Sequence, residues 1–163
     1  MNRLARPLLV VAALFAGLLA GGNVDRSFVA MPAWQQVGAT AWADFSRHAD
    51  LGNGLILYPL EAIGGALFVL AAAICIHFYR TAPRAAVRAI DASAVLAAGG
   101  LALTLKAAPI MLGIRDVTDA SALSAAFEGF RFWGDLRAVC QVLAFVAQLI
   151  ALGLLLRGSR QSR

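Results

Sequence analysis

Residues Asn53–Tyr79, NGLILYPLEAIGGALFVLAAAICIHFY, form an apolar run interrupted by one acid, Glu61. At a helical rise of about 1.5 Å per residue, a helix of this length exceeds the ~30 Å hydrocarbon core of a bilayer. A carboxylate at that depth costs about 2.5–3.5 kcal/mol unless something solvates it. Two expectations follow: the segment spans a membrane, and Glu61 meets a partner inside a protein bundle.

Three further apolar stretches accompany it, so the predicted spans are 8–31, 53–79, 89–114 and 133–156. Charged residues make up only 14% of the chain and cluster between these stretches, which excludes an ordinary soluble domain. The fold class predicted is all-α: one transmembrane domain over residues 1–163, a four-helix bundle wound up-down-up-down. Trp34, Val37, Ala41 and Phe45 recur at helical spacing and predict a short amphipathic helix in the first outer loop. Arg3 and Arg6 ahead of an apolar core are also how a signal peptide begins. Gly17 and Gly21, spaced for close helix approach, and a helical pattern running on to Met31 favour a retained first helix.

The net charge of +5 does not indicate nucleic acid, because the basic residues flank apolar spans without interleaved aromatics. The N-terminus, the 80–88 loop and the C-terminal tail hold eight Arg; the other two connections hold four, Arg26, Arg47, Arg115 and Arg131. The positive-inside rule then puts both termini in the cytoplasm. The Ala/Arg-rich composition suits a bacterial inner membrane. Cys75 and Cys140 fall at different depths and are expected to stay reduced.

Three ionisable groups, Glu61, Lys106 and Arg137, share the outer half of the bundle by helical rise. Tyr58, Glu61, Gly65, Phe68 and Ala72 align on the second span; Gly99, Ala102, Lys106 and Pro109 align on the third. On the fourth, Trp133, Arg137, Gln141, Ala144 and Gln148 make a polar stripe that should face protein. The candidate site is therefore Tyr58, Glu61, Lys106, Trp133, Arg137 and Gln141. It is either a structural ion-pair network or a ligand-binding site. His48 and Asp50 form an H-x-D pair that with Glu61 could contribute to a metal site, but convergent ligands are too few, so no metal and no cofactor are expected. No phosphate-binding loop, dinucleotide fingerprint or nucleophile elbow occurs.

The segment FVAMPAW (Phe28–Trp34) after a Gly-rich first helix, and the W-x-D-L-R opening of the fourth (Trp133–Arg137), resemble the anthrone-oxygenase-like family of small four-span membrane proteins. Lys106–Leu112, KAAPIML, keeps Pro109 of a motif that closes the third helix in that family. The resemblance implies the same bundle and a polar site involving Trp133 and Arg137. It also implies cofactor-independent oxygenation of a small aromatic or lipophilic substrate. Beside that reading stand a non-enzymatic membrane module or accessory subunit, ranked first, and a small transporter, which would need two chains associating as a homo-oligomer. In each the lipid bilayer is the main partner, a small lipophilic ligand a further one, and nucleic acid none.

Overall fold

The computed structural model describes residues 4–79 and 82–160; Arg3, Arg80 and Arg163, counted in the charge bias, lie outside them. The chain winds as α1 (Ala5–Asp25), a π-helical turn (Arg26–Ala30), α2 (Met31–Val37), α3 (Ala39–His48), a turn kinked at Gly52 (Ala49–Asn53), α4 (Gly54–Tyr79), α5 (Arg84–Gly113) and α6 (Ala120–Arg160). Four of the helical segments are long and apolar enough to cross a membrane. Many large apolar side chains, Leu14, Leu18, Ile56, Leu67 and Leu105 among them, face outward, as expected where lipid rather than water surrounds the protein. The chain is a multi-pass membrane protein.

Around the bundle α1 packs on α4 and α6, and α5 on α6 and α4, the neighbour pattern of up-down-up-down winding. One apolar core fills the end nearest the termini, with Leu9, Ala12, Val69, Ala72, Ile90 and Leu155 almost fully buried. Small residues set the spacing. A Cβ added at Gly17 would come 3.1 Å from the Phe145 ring, and one at Gly65 3.3 Å from Phe15. Gly21, its expected companion, has nothing within 4 Å.

The opposite end is a cap. There α2, α3, the end of α5 and the first turns of α6 enclose a second core of Met31, Trp42, Met111, Ile114, Phe127 and Phe130. Trp42 is 0% exposed and meets Phe127 edge-on, ring centroids 5.3 Å apart. The helices run past the predicted spans to build this cap. α6 opens at Ala120 rather than Trp133, because Asp119 accepts hydrogen bonds from Ser121 Oγ (2.5 Å) and the Ala122 N–H (2.8 Å) as its N-cap.

An amphipathic helix does occupy the first connection, and the face it buries is not the one that Trp34, Val37, Ala41 and Phe45 mark. Val37, Ala41 and Phe45 are exposed and Trp34 is only half-buried, whereas Trp42, Ser46 and Asp50 are buried. The reason is Gly38, whose φ of +99° breaks the helix between Val37 and Ala39, so the periodicity restarts there. Arg47 fastens the cap: its guanidinium donates to the Ile114 carbonyl (3.0 Å), the Arg115 carbonyl (3.1 Å) and the Val117 carbonyl. These carbonyls lie just beyond α5, where backbone acceptors have no intrahelical donor.

Candidate functional site

The π-helical turn and the kinked turn lie where the bundle meets the cap, and each carries one member of an ion pair. A π turn fits an extra residue into the helix and re-aims the side chains on it. Arg26 opens the first turn and Asp50 sits in the second. The Arg26 guanidinium donates to Asp50 Oδ1, with the two side chains 17% and 3% exposed. Arg26 also stands over three rings, its Cζ 5.9 Å from Trp34, 5.6 Å from Tyr58 and 5.5 Å from Phe130. Each ring face attracts the cation by about 0.5–2 kcal/mol. Gly54 is required here, since a Cβ at that position would lie 2.7 Å from the Tyr58 ring and 2.8 Å from the Ala49 carbonyl.

Arg137 approaches the same cluster from α6, within electrostatic reach of Arg26, Asp50 and Tyr58. Among the described residues it forms no ion pair, and its Nε is buried with no hydrogen-bond partner. The second oxygen of Asp50, the Ser46 hydroxyl and the Trp42 indole N–H are likewise buried and unpartnered. Trp42, Ser46 and Asp50 follow one another at four-residue spacing, which lines them up on one helix face. Arg26 and Asp50 offset each other in charge, so the guanidinium of Arg137 is left over.

The α1–α6 seam continues the polar contacts. Ser27 Oγ donates to Asp135 Oδ1 at 2.8 Å. Asn23 Nδ2 donates to Gln141 Oε1 at 2.5 Å and to the Leu19 carbonyl at 2.7 Å. Deeper, Gln148 Nε2 donates to Ser93 Oγ (3.0 Å), which donates to the Ala144 carbonyl (3.0 Å).

The predicted residues divide. On α6, Gln141, Ala144 and Gln148 are buried, Trp133 and Arg137 partly so; the stripe faces protein. Tyr58 lies at the cluster, half of its surface open. Glu61 lines the bundle interior but joins neither Lys106 nor Arg137 in an ion pair, contrary to expectation. Lys106 is exposed, as are Ala102 and Pro109. The face of α5 that packs inward is Ile90, Ser93, Gly100, Ala107 and Met111, because the Gly100 position receives the Gln141 side chain, 3.0 Å from where a Cβ would stand. Lys106 is thereby turned outward, where its long stem can carry the ammonium toward the membrane surface.

The H-x-D pair separates too: His48 Nδ1 lies 2.8 Å from the Asp44 carbonyl, while Asp50 goes to Arg26. Among the described residues no group of three His, Cys, Asp or Glu side chains could hold a metal ion. Both cysteines are free. At the termini end His77 Nε2 meets Asp91 Oδ1 at 2.8 Å, beside an open groove of about 690 Å³ between α4 and α5.

Arg26, Asn23 and Ser27 escaped the sequence reading because Arg26 counts there as a loop charge. A signal was present: the helical pattern does not stop at Asp25–Arg26, and a charged pair inside a continuing helix has to be accommodated by packing. Comparison with protein-family models, curated proteins and solved structures gives no match.

Proposed function

We propose that the cap-end cluster binds a small lipophilic molecule carrying one negative charge, with Arg137 as its counter-ion. The observation that carries this reading is the buried Nε of Arg137, which has no hydrogen-bond partner and no carboxylate of its own. A cation within an apolar helix leans toward function, because each such charge is costly to keep. The neighbouring Arg26 is already neutralised by Asp50. Tyr58, 42% exposed, and Trp133 offer ring surface for the apolar part of the ligand. Both termini lie in the cytoplasm of a bacterial cell in this reading, on the strength of the eight Arg at that end against four at the cap.

The test uses 1-hydroxy-2-naphthoate, a fluorescent lipophilic monoanion, and its uncharged methyl ester on the purified protein in mild detergent. The anion should bind saturably, and the ester about ten-fold or more weakly, the factor expected when a charge-assisted contact is lost. Equal binding of both would remove Arg137 from the role given to it.

A catalytic version has its own support. Ser27, one residue ahead of the Phe28–Trp34 segment that resembles the anthrone-oxygenase-like family, donates to Asp135 within the Trp133–Arg137 segment. Asp50 keeps one oxygen unpartnered. In this version Asp50 takes a proton from carbon of an anthrone-like substrate and Arg137 holds the resulting enolate oxygen; dioxygen, the oxidant, bonds to that carbon and regains the proton as a hydroperoxide, whose O–O bond breaks with loss of water to leave the quinone. Oxygen uptake by proteoliposomes given anthrone, lost in Asp50→Asn, is the expected result. Uptake no faster than in protein-free liposomes would leave the binding role alone.

A further inference from the structure

The cap cluster does not involve Glu61 in an ion pair, yet α4 turns this acid toward the interior. Between α1, α4, α5 and α6 lies a small, partly open pocket of about 20 Å³ lined by the half-buried Glu61, by Gln141 and Gln148, and otherwise by Ala and Leu side chains and Gly65. Gln148 is 1% exposed, and its Oε1 is buried without a hydrogen-bond partner, although its Nε2 is engaged by Ser93. An amide acceptor so placed inside a membrane bundle calls for a donor. The cavity exceeds the roughly 10–15 Å³ that one water requires, and its polar partners fall in the two-to-four range that holds a buried water. Such a water can donate to Gln148 Oε1 and share a hydrogen with the Glu61 carboxyl, while Gln141, its oxygen engaged by Asn23, lines the pocket further along α6.

We propose that Glu61, Gln141 and Gln148 enclose a single water and that this makes Glu61 a proton-binding site within the membrane. The inference rests on the cavity and on the unpartnered acceptor, not on what occupies the cap cluster. The groups facing Glu61 are few. Tyr58, one turn away on the same helix, lies within its electrostatic reach. At the cavity α1 presents Ala16 and Leu19, α5 presents Ala97 and Leu101, and α6 presents amides and an alanine. Arg137, one turn above Gln141, feels Arg26, Asp50 and Tyr58 but not Glu61. With no base beside it among the described residues, the acid has a proton as its means of neutralisation, and the water as the route by which that proton exchanges. Tyr58, which also lies within reach of Asp50, stands between this proton and the cap cluster.

N,N′-dicyclohexylcarbodiimide, which adds to protonated carboxyls in apolar surroundings, is the probe. In the folded wild-type protein, peptide mass spectrometry should find the adduct at Glu61, declining along one titration as pH rises, and absent in Glu61→Gln. Gln148→Glu puts a second carboxyl on the same water. Two acids sharing so small a space resist ionising together, so the Glu61 titration should move up by about one pH unit or more. A superimposable titration in Gln148→Glu would overturn the shared cavity, and so would the absence of any adduct at Glu61. A second measurement needs no variant at the glutamines. The infrared difference between wild type and Glu61→Gln should contain a protonated-carboxyl band that shifts in D2O; a band that does not exchange would overturn the water.

Discussion

Arg26 and Asp50 form an ion pair where the bundle meets the cap, Arg26 on the π-helical turn after α1 and Asp50 in the kinked turn at Gly52 before α4. Both residues sit where the helical path changes. Asp50→Asn should destabilise the protein by about 3–5 kcal/mol, since it leaves Arg26 buried without its carboxylate. Removing both partners with Arg26→Met and Asp50→Asn should cost less than the sum of the singles. Denaturation in mixed micelles of the four proteins of this cycle reads the coupling directly.

The bundle and its winding were legible in the sequence because lipid imposes length and apolarity on every crossing helix. The polar stripe on α6 was legible for the same reason: Gln141 and Gln148 could not be left in hydrocarbon. The outward turn of Lys106, away from Glu61, was not, because helical rise reports depth and says nothing of azimuth. Gly100 and Ala107, not Lys106, fill the face of α5 that meets α6. Arg26–Asp50 was hidden by the π turn and by the kink at Gly52, which shift register without any sequence signature as plain as a proline. The cap helix was visible as a helix, but Gly38 reset its phase.

Arg47 holds the loop after α5 by donating to the carbonyls of Ile114, Arg115 and Val117. Arg47→Met keeps much of the stem and removes the donors. It should cost about 1.5–3 kcal/mol, the range for hydrogen bonds to a charged group. Hydrogen exchange should quicken over residues 114–117 and stay unchanged at the termini end.

Gly54→Ala places a methyl group against the Tyr58 ring and the Ala49 carbonyl, 2.7 and 2.8 Å away. The backbone oxygen cannot retreat as a side chain would, so a loss of about 1–3 kcal/mol is expected. Gly21→Ala meets nothing within 4 Å and should be neutral or slightly stabilising, through lower chain entropy when unfolded. Thermal unfolding of the two variants side by side checks the contrast.

Asp119 caps α6, and its hydrogen bond from Ser121, then that from the Ala122 N–H, hold its carboxyl below the usual carboxylate range. A lowered folded-state value means the stabilisation is present above the unfolded value and is lost as pH falls through the folded one. Asp119→Ala should therefore fray the first turn of α6 at neutral pH, and the difference from wild type should vanish in acid. Amide exchange at Ser121–Leu123, followed from neutral pH downward, reads it.

The most direct test of the central claim is the stability and ligand affinity of Arg137→Gln, measured together. If Arg137 waits for an anionic ligand, removing it relieves an unpaired charge, and the ligand-free variant should be as stable as wild type or more so. The same variant should bind 1-hydroxy-2-naphthoate about ten-fold or more weakly, and should lose the stabilisation of about 2.7 kcal/mol that a ligand at a hundred times its Kd confers. A contrary result would be a variant destabilised by about 3–5 kcal/mol, as when a buried pair is broken, with its affinity for the naphthoate unchanged.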